Sequence, residues 1–125
     1  MGRDAVTMHI GELAEKTGLS LRTIRHYDEV GLLKPTGRTE GGFRLYTHDD
    51  LARLMLIRRM KPLGFSLGEM TELLRIVDTL GGTGSGDPGF RADLDGFIAQ
   101  SVERRGKLKD QLAMADEFLE LLRAQ

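Results

Sequence analysis

Apolar and polar positions along this chain fall into a series of short helical stripes followed by one long one. Ile10, Leu13 and Ala14 share a face of a first short helix, which Gly18 interrupts. Past Gly18-Leu19-Ser20, Ile24 turns back towards Leu13, and Arg22, Thr23, Arg25 and His26 fall on the outer side of a second helix. A third stripe, Leu51, Leu54, Met55 and Ile57, runs until Pro62 and Gly64, and a fourth carries Met70, Leu73, Leu74 and Val77. Between the second and third helices the pattern changes. Gly41-Gly42, with Arg38 before it and Arg44-Leu45-Tyr46 after it, predicts a small hairpin.

Local chemistry agrees with these boundaries. Gly18 permits the positive φ of a tight turn, and Ser20 can cap the exposed N–H groups that open the next helix. Thr47 caps the third helix ahead of Asp49 and Asp50, where the helix dipole favours acids, and Ser66 with Glu69 forms a capping box for the fourth. Gly81 to Gly89 has the composition of a linker, with Asp87-Pro88 suited to open a last helix.

From Phe90 onward the apolar spacing becomes a heptad seam. Leu94, Ile98, Ser101, Arg105, Leu108, Leu112, Ala115, Leu119 and Leu122 step by four and three, over about 35 residues and ~50 Å of helix. A single helix cannot bury such a seam, so Leu94, Ile98, Leu108, Leu112, Ala115, Leu119 and Leu122 are the predicted dimerisation residues. Ser101 and Arg105 read as a tolerated weak layer, and Gly106 as a site of mild helix weakening. The domain plan is therefore a helix-turn-helix and hairpin unit over 8–79, a linker over 80–89 and a dimerisation helix over 90–125.

Composition refines this plan. The formal net charge of -1 hides an asymmetry: residues 20 to 61 hold nine Lys and Arg against five acids, whereas residues 78 to 125 hold six against nine. Phosphate attraction acts over roughly a Debye length of about 8 Å, so the local excess matters more than the total. No apolar run is long enough to span a membrane, and Met1 to Ile10 lacks a signal-peptide pattern, so a cytoplasmic location is expected. Nucleophile-base groupings, phosphate loops and paired-carboxylate signatures are missing as well, and no enzyme is expected.

The order of motifs resembles the DNA-binding domain of the MerR family of bacterial transcription regulators. Its pattern is matched by Thr23-Ile24-Arg25, Tyr27, Gly31-Leu32-Leu33, Arg38, Gly42-Phe43-Arg44, Tyr46 and Leu63-Gly64-Phe65-Ser66-Leu67. The resemblance implies a mainly α fold: a winged helix-turn-helix followed by a long helix that pairs as an antiparallel coiled coil. It further implies a homodimer on a near-palindromic promoter, regulation by DNA distortion, and RNA polymerase as a partner. Thiolate metal sensing and iron–sulfur sensing, known in the family, are excluded because the chain has no cysteine. His9, His26 and His48 lie in three different elements, and no metal or other cofactor is expected.

Residues expected at double-stranded DNA are Arg22, Thr23, Arg25 and His26 on the second helix, with Arg38, Gly42, Arg44 and Tyr46 on the hairpin. By resemblance, Arg25 and His26 reach base edges or nearby phosphates, and Tyr27 a phosphate. Arg59 and Lys61, at the end of the third helix beside Arg58, are candidates for the DNA backbone. Phe43, Leu63, Phe65 and Leu67 are expected in the core. A small-molecule inducer has no support in the sequence: Phe90, Phe97, Met114 and Phe118 read first as interface packing. The chain ends on the helix, so no separate effector domain is expected. Two rival readings are an architectural or excision-type DNA-binding protein and a coiled-coil interaction module that has lost DNA binding.

Overall fold

The computed structural model describes residues 6–81 and 88–125. Its elements are β1 (Thr7–His9), α1 (Ile10–Thr17), α2 (Leu21–Glu29), β2 (Gly37–Arg38), β3 (Arg44–Thr47), α3 (His48–Met60), α4 (Leu67–Leu80) and α5 (Pro88–Arg123). A 3-10 turn, Lys61–Leu63, joins α3 to α4. The chain divides into two compact units, 1–74 and 75–125, which meet within α4.

In the first unit, local signals and packing coincide. Gly18 adopts φ 73 and its N–H donates to the Ala14 carbonyl, ending α1. The Ser20 side chain accepts the Thr23 N–H at 3.0 Å and opens α2. Leu13 and Ile24 are both fully buried, as the turn between the helices requires. The end of α2 is closed by Gly31 at φ 80 and by the Leu32 N–H, which donates to the Tyr27 carbonyl at 2.9 Å. This left-handed exit sends Leu32 and Leu33 into the core.

The hairpin belongs to a larger sheet than its own pattern suggests. β3 pairs antiparallel with β2, Arg38 opposite Arg44, and also with β1, Met8 opposite Tyr46, giving the strand order β1-β3-β2. β1 has too few residues to show an alternating pattern, and the sequence reading missed it. The hairpin turn also differs in detail. Gly42 alone takes a positive φ, 86, and the Gly42 N–H donates to the Thr39 carbonyl, so the loop is Glu40-Gly41-Gly42 rather than a two-glycine turn.

Leu54, Ile57 and Met60 of α3 and Met70 and Leu74 of α4 are buried; the expected Ser66/Glu69 capping box is present, and the expected Thr47 cap proves to be a second box, closed by Asp50. Ile76 is buried and Val77 exposed, so Ile76 takes the inward place that the stripe gave to Val77. Of the expected core residues outside the stripes, Phe65 is buried and Leu63 half-buried, whereas Leu67 is exposed and Phe43 is 69% exposed. The Phe43 ring lies against the Gly41 position at the hairpin tip.

The second unit contains the end of α4 and the unbroken 36-residue helix α5. α4 continues through Leu80, which the domain plan had placed in the linker, and α5 starts at Pro88, the position expected to open the last helix. Proline fits the first position of a helix because its fixed φ suits it and no N–H is needed there. Residues 82–87 of the linker, Asp87 among them, lie outside the described residues. The Arg75 guanidinium sits 5.2 Å from the centre of the Phe90 ring, a cation–π contact within this unit. Ser101 donates to the Phe97 carbonyl at 2.8 Å, which satisfies its hydroxyl inside its own helix.

Candidate nucleic-acid interface

The outer face of α2 is built by helical spacing. Arg22, Arg25, His26 and Glu29 line one cleft of about 380 Å³, and all four are exposed. Ile24, Tyr27 and Asp28 occupy the opposite face and are buried. Thr23 is half-buried, and its Oγ1 accepts a hydrogen bond from Ser20 Oγ at 2.9 Å, so it belongs to the cap as much as to the outer face. Glu29, absent from the expected site, brings a negative charge beside the cationic pair.

At the C-terminal end of α2 the wing meets the helix through Asp28. The Asp28 side chain is only 9% exposed, and three cations converge on it. Arg44 Nε donates to Asp28 Oδ2 at 2.7 Å, Arg38 approaches the same oxygen at 3.3 Å, and Lys34 Nζ lies 3.7 Å from Oδ1. Burial pushes the Asp28 pKa up, but the Arg44 hydrogen bond and the charges of Arg44, Lys34 and Arg38 outweigh it, and the net shift is downward. The pKa of Arg44 is raised in turn, chiefly by its bond to Asp28.

This cluster changes the reading of the wing. Arg44 is 24% exposed and turned onto Asp28, so it is tied to the fold and does not stand free on the ribbon. Arg38 is 48% exposed and also donates to the Gly42 carbonyl at 3.1 Å, which makes Gly42 a turn former held by its neighbour. Lys34, 68% exposed, was not among the expected site residues. Its signal in the sequence is only its place between the helix exit and the hairpin.

Two tyrosines of the expected interface are buried. Tyr46 is fully buried, and its hydroxyl has no hydrogen-bond partner, so it is a core residue and cannot touch DNA in this conformation. Tyr27 is 3% exposed, and burial raises its pKa. Tyr46 was expected at DNA as an aromatic residue of the ribbon and Tyr27, by resemblance, at a phosphate; both rings are instead buried in the core.

Arg59 and Lys61 are exposed at the end of α3, where Arg59 donates to the Met55 carbonyl at 3.5 Å. The Arg58 guanidinium lies beside Gly18, next to the turn between α1 and α2. Among the described residues, no cluster of three potential metal ligands occurs, and no helix is long and apolar enough to cross a membrane.

On the second unit, Leu94 is half-buried, while Ile98, Leu108, Leu112, Leu119 and Leu122 are exposed apolar side chains, as is Ala115. Met114, Phe118 and Leu121 widen this exposed apolar surface near the C-terminal end of α5.

A profile described as "MerR HTH family regulatory protein" matches residues 8–76. The mercuric resistance operon regulatory protein of Bacillus cereus is 48% identical over 69 residues, which are 55% of this chain and 52% of that protein. The HTH-type transcriptional regulator ZntR of Escherichia coli strain K12 is 51% identical over 67 residues, 54% of this chain and 48% of that one. The chain thus spans about half the length of the curated relatives it matches.

Solved structures extend the similarity into α5. A MerR-family transcriptional regulator from Bacillus cereus aligns with TM-score 0.67 at 33% identity, covering 92% of this chain and 76% of that one. HiNmlR, a MerR family regulator lacking the sensor domain and bound to promoter DNA, aligns with TM-score 0.65 at 32% identity, covering 94% and 86%. With its helix-turn-helix, wing and long last helix in one order, and with more than half its length matching the family profile, this chain belongs to the MerR HTH family of regulatory proteins.

Proposed function

We propose that the chain is a sequence-specific, DNA-binding transcription regulator that works as a homodimer in the cytoplasm. The observation that carries this reading is the outer face of α2. Arg22, Arg25 and His26 stand exposed on one helical face, beside a wing that presents Arg38 and Lys34. In this reading α2 enters the major groove, where arginine and histidine meet base edges, while the wing cations and exposed Arg59 and Lys61 hold phosphates. The likeness to HiNmlR, described as bound to promoter DNA, supports the same assignment.

Dimerisation is supported by the exposed seam of α5. Leu108, Leu112, Leu119 and Leu122 form a stripe that one helix cannot hide, and an antiparallel pairing of two copies would bury it. Two reading heads would then face two half-sites of a near-palindromic promoter. As the family resemblance implies, regulation would proceed by bending and untwisting the promoter so that RNA polymerase engages it. Bending a site of this size costs on the order of 1–6 kcal/mol, which several phosphate contacts per subunit can offset.

Selection of bound fragments from a random duplex pool, followed by gel shifts over a salt series, tests the proposal. The expected result is a symmetric selected site whose affinity falls steeply with salt. Absence of binding to any duplex at low salt, with the chain monomeric, would overturn it.

A further inference from the structure

We propose that Asp28 is a positioning residue: it fixes the tilt of the wing against α2 and so decides which cations face DNA. This inference rests on the DNA-binding reading above. A single carboxylate oxygen, Asp28 Oδ2, is shared by Arg44 from β3 and Arg38 from β2, so one acidic group in the reading helix ties down both arms of the hairpin. Tyr46 and Met8 anchor the lower end of β3 in the core. Among the described residues, the loop above Arg38 and Arg44 has only its own hydrogen bonds, between Thr39, Gly42 and Phe43, and the Arg38 bond to the Gly42 carbonyl. Asp28 is therefore the tether between the tip and the helix.

The three cations are graded. Arg44 makes the shortest bond and is the least exposed, Arg38 is intermediate, and Lys34 is the longest and most exposed. Arg44 acts as the strut, and Arg38 and Lys34 are the wing's phosphate-facing charges. Asp28 also neutralises one of the three positive charges, without which they would repel one another around an uncharged residue.

Phosphate contacts set the register of a reading helix without carrying sequence information. Loss of the tether should thus spare general attraction to DNA and damage discrimination. Asp28→Asn keeps the shape of the side chain and removes its charge. For this variant the affinity ratio between the duplex selected by the wild-type chain and a random-sequence duplex of equal length should fall about tenfold. Affinity for the random duplex should hold or rise, because a cation is released. Asp28→Glu should recover most of the ratio.

A second measurement needs no DNA. In the wild-type chain the Arg44 Nε proton should exchange with solvent much more slowly than that of Arg22, and Asp28→Asn should abolish the difference. An unchanged ratio in Asp28→Asn, an equal loss of affinity for both duplexes, or Arg44 exchange as fast as that of Arg22 would each overturn the proposal. If the wild-type chain binds no duplex, the functional reading fails, and the Arg44 exchange rate still decides the role of Asp28. If Asp28→Asn does not fold, the wild-type Arg44 exchange rate decides the role of Asp28.

Discussion

Thr36 donates its hydroxyl to Asp50 Oδ2 at 2.6 Å, and that oxygen also accepts the Thr47 N–H at 2.9 Å. The segment leading from α2 to the wing is thereby hitched to the capping box of α3. Asp50→Ala removes the capping-box acceptor, leaving the buried Thr47 N–H unsatisfied while the exposed Thr36 hydroxyl can turn to solvent. A loss of about 1–3 kcal/mol is expected, read as a lower midpoint in urea denaturation. A change within about 0.5 kcal/mol, typical of an ordinary surface site, would contradict this role.

Tyr46→Phe tests the corrected assignment of that residue. Its hydroxyl is buried and unpaired, so removing it should leave stability unchanged or raise it by about 1 kcal/mol, with DNA affinity unaltered. Gel shifts on the selected duplex supply the check. A marked loss of affinity in a fully folded variant would return Tyr46 to the interface.

Acid should loosen the wing. Asp28 has a lowered pKa in the folded chain, so the unfolded chain takes up a proton first as pH falls. Its contribution is complete above the ordinary aspartate value of about 3.9 and is lost as pH drops through the lower folded value. Urea denaturation of wild type and Asp28→Asn should show a stability gap at neutral pH that closes in this acid window. A gap that stays constant down to about pH 2.5 would mean that the carboxylate charge contributes nothing.

Arg25→Ala should weaken binding to the selected duplex by roughly 1–3 kcal/mol and relax base preference at one position of each half-site. Random duplex should be bound almost as before. Equal losses on both would make Arg25 a phosphate contact.

Leu112→Glu places a charge in the exposed seam of α5. Burying it unpaired against a second copy is costly, so analytical ultracentrifugation should show monomers. Dimers persisting at micromolar concentration would place the subunit contact elsewhere.

Much of this protein follows from short-range chemistry along the chain. Gly18, Ser20, Thr47 with Asp50, and Ser66 with Glu69 each act within four residues, and each does in the structure what its residue type requires. The outer face of α2 was equally legible, because helical spacing alone separates Arg22, Arg25 and His26 from Ile24. The exposed seam of α5 followed from its heptads in the same way.

Contacts between distant residues were decided by the tertiary structure. β1 could not be read from three residues, since its pairing partner lies far along the chain. The same holds for Tyr46, whose polar tip suggested a surface role while strand pairing turned it into the core, and for Phe43, which the hairpin left outside. Asp28 carries no signal of its own in the sequence. Only the return of the chain through β2 and β3 brings Arg38 and Arg44 to it, because a charge acquires its partners from whatever folding places within a few ångströms, and sequence order does not record that distance.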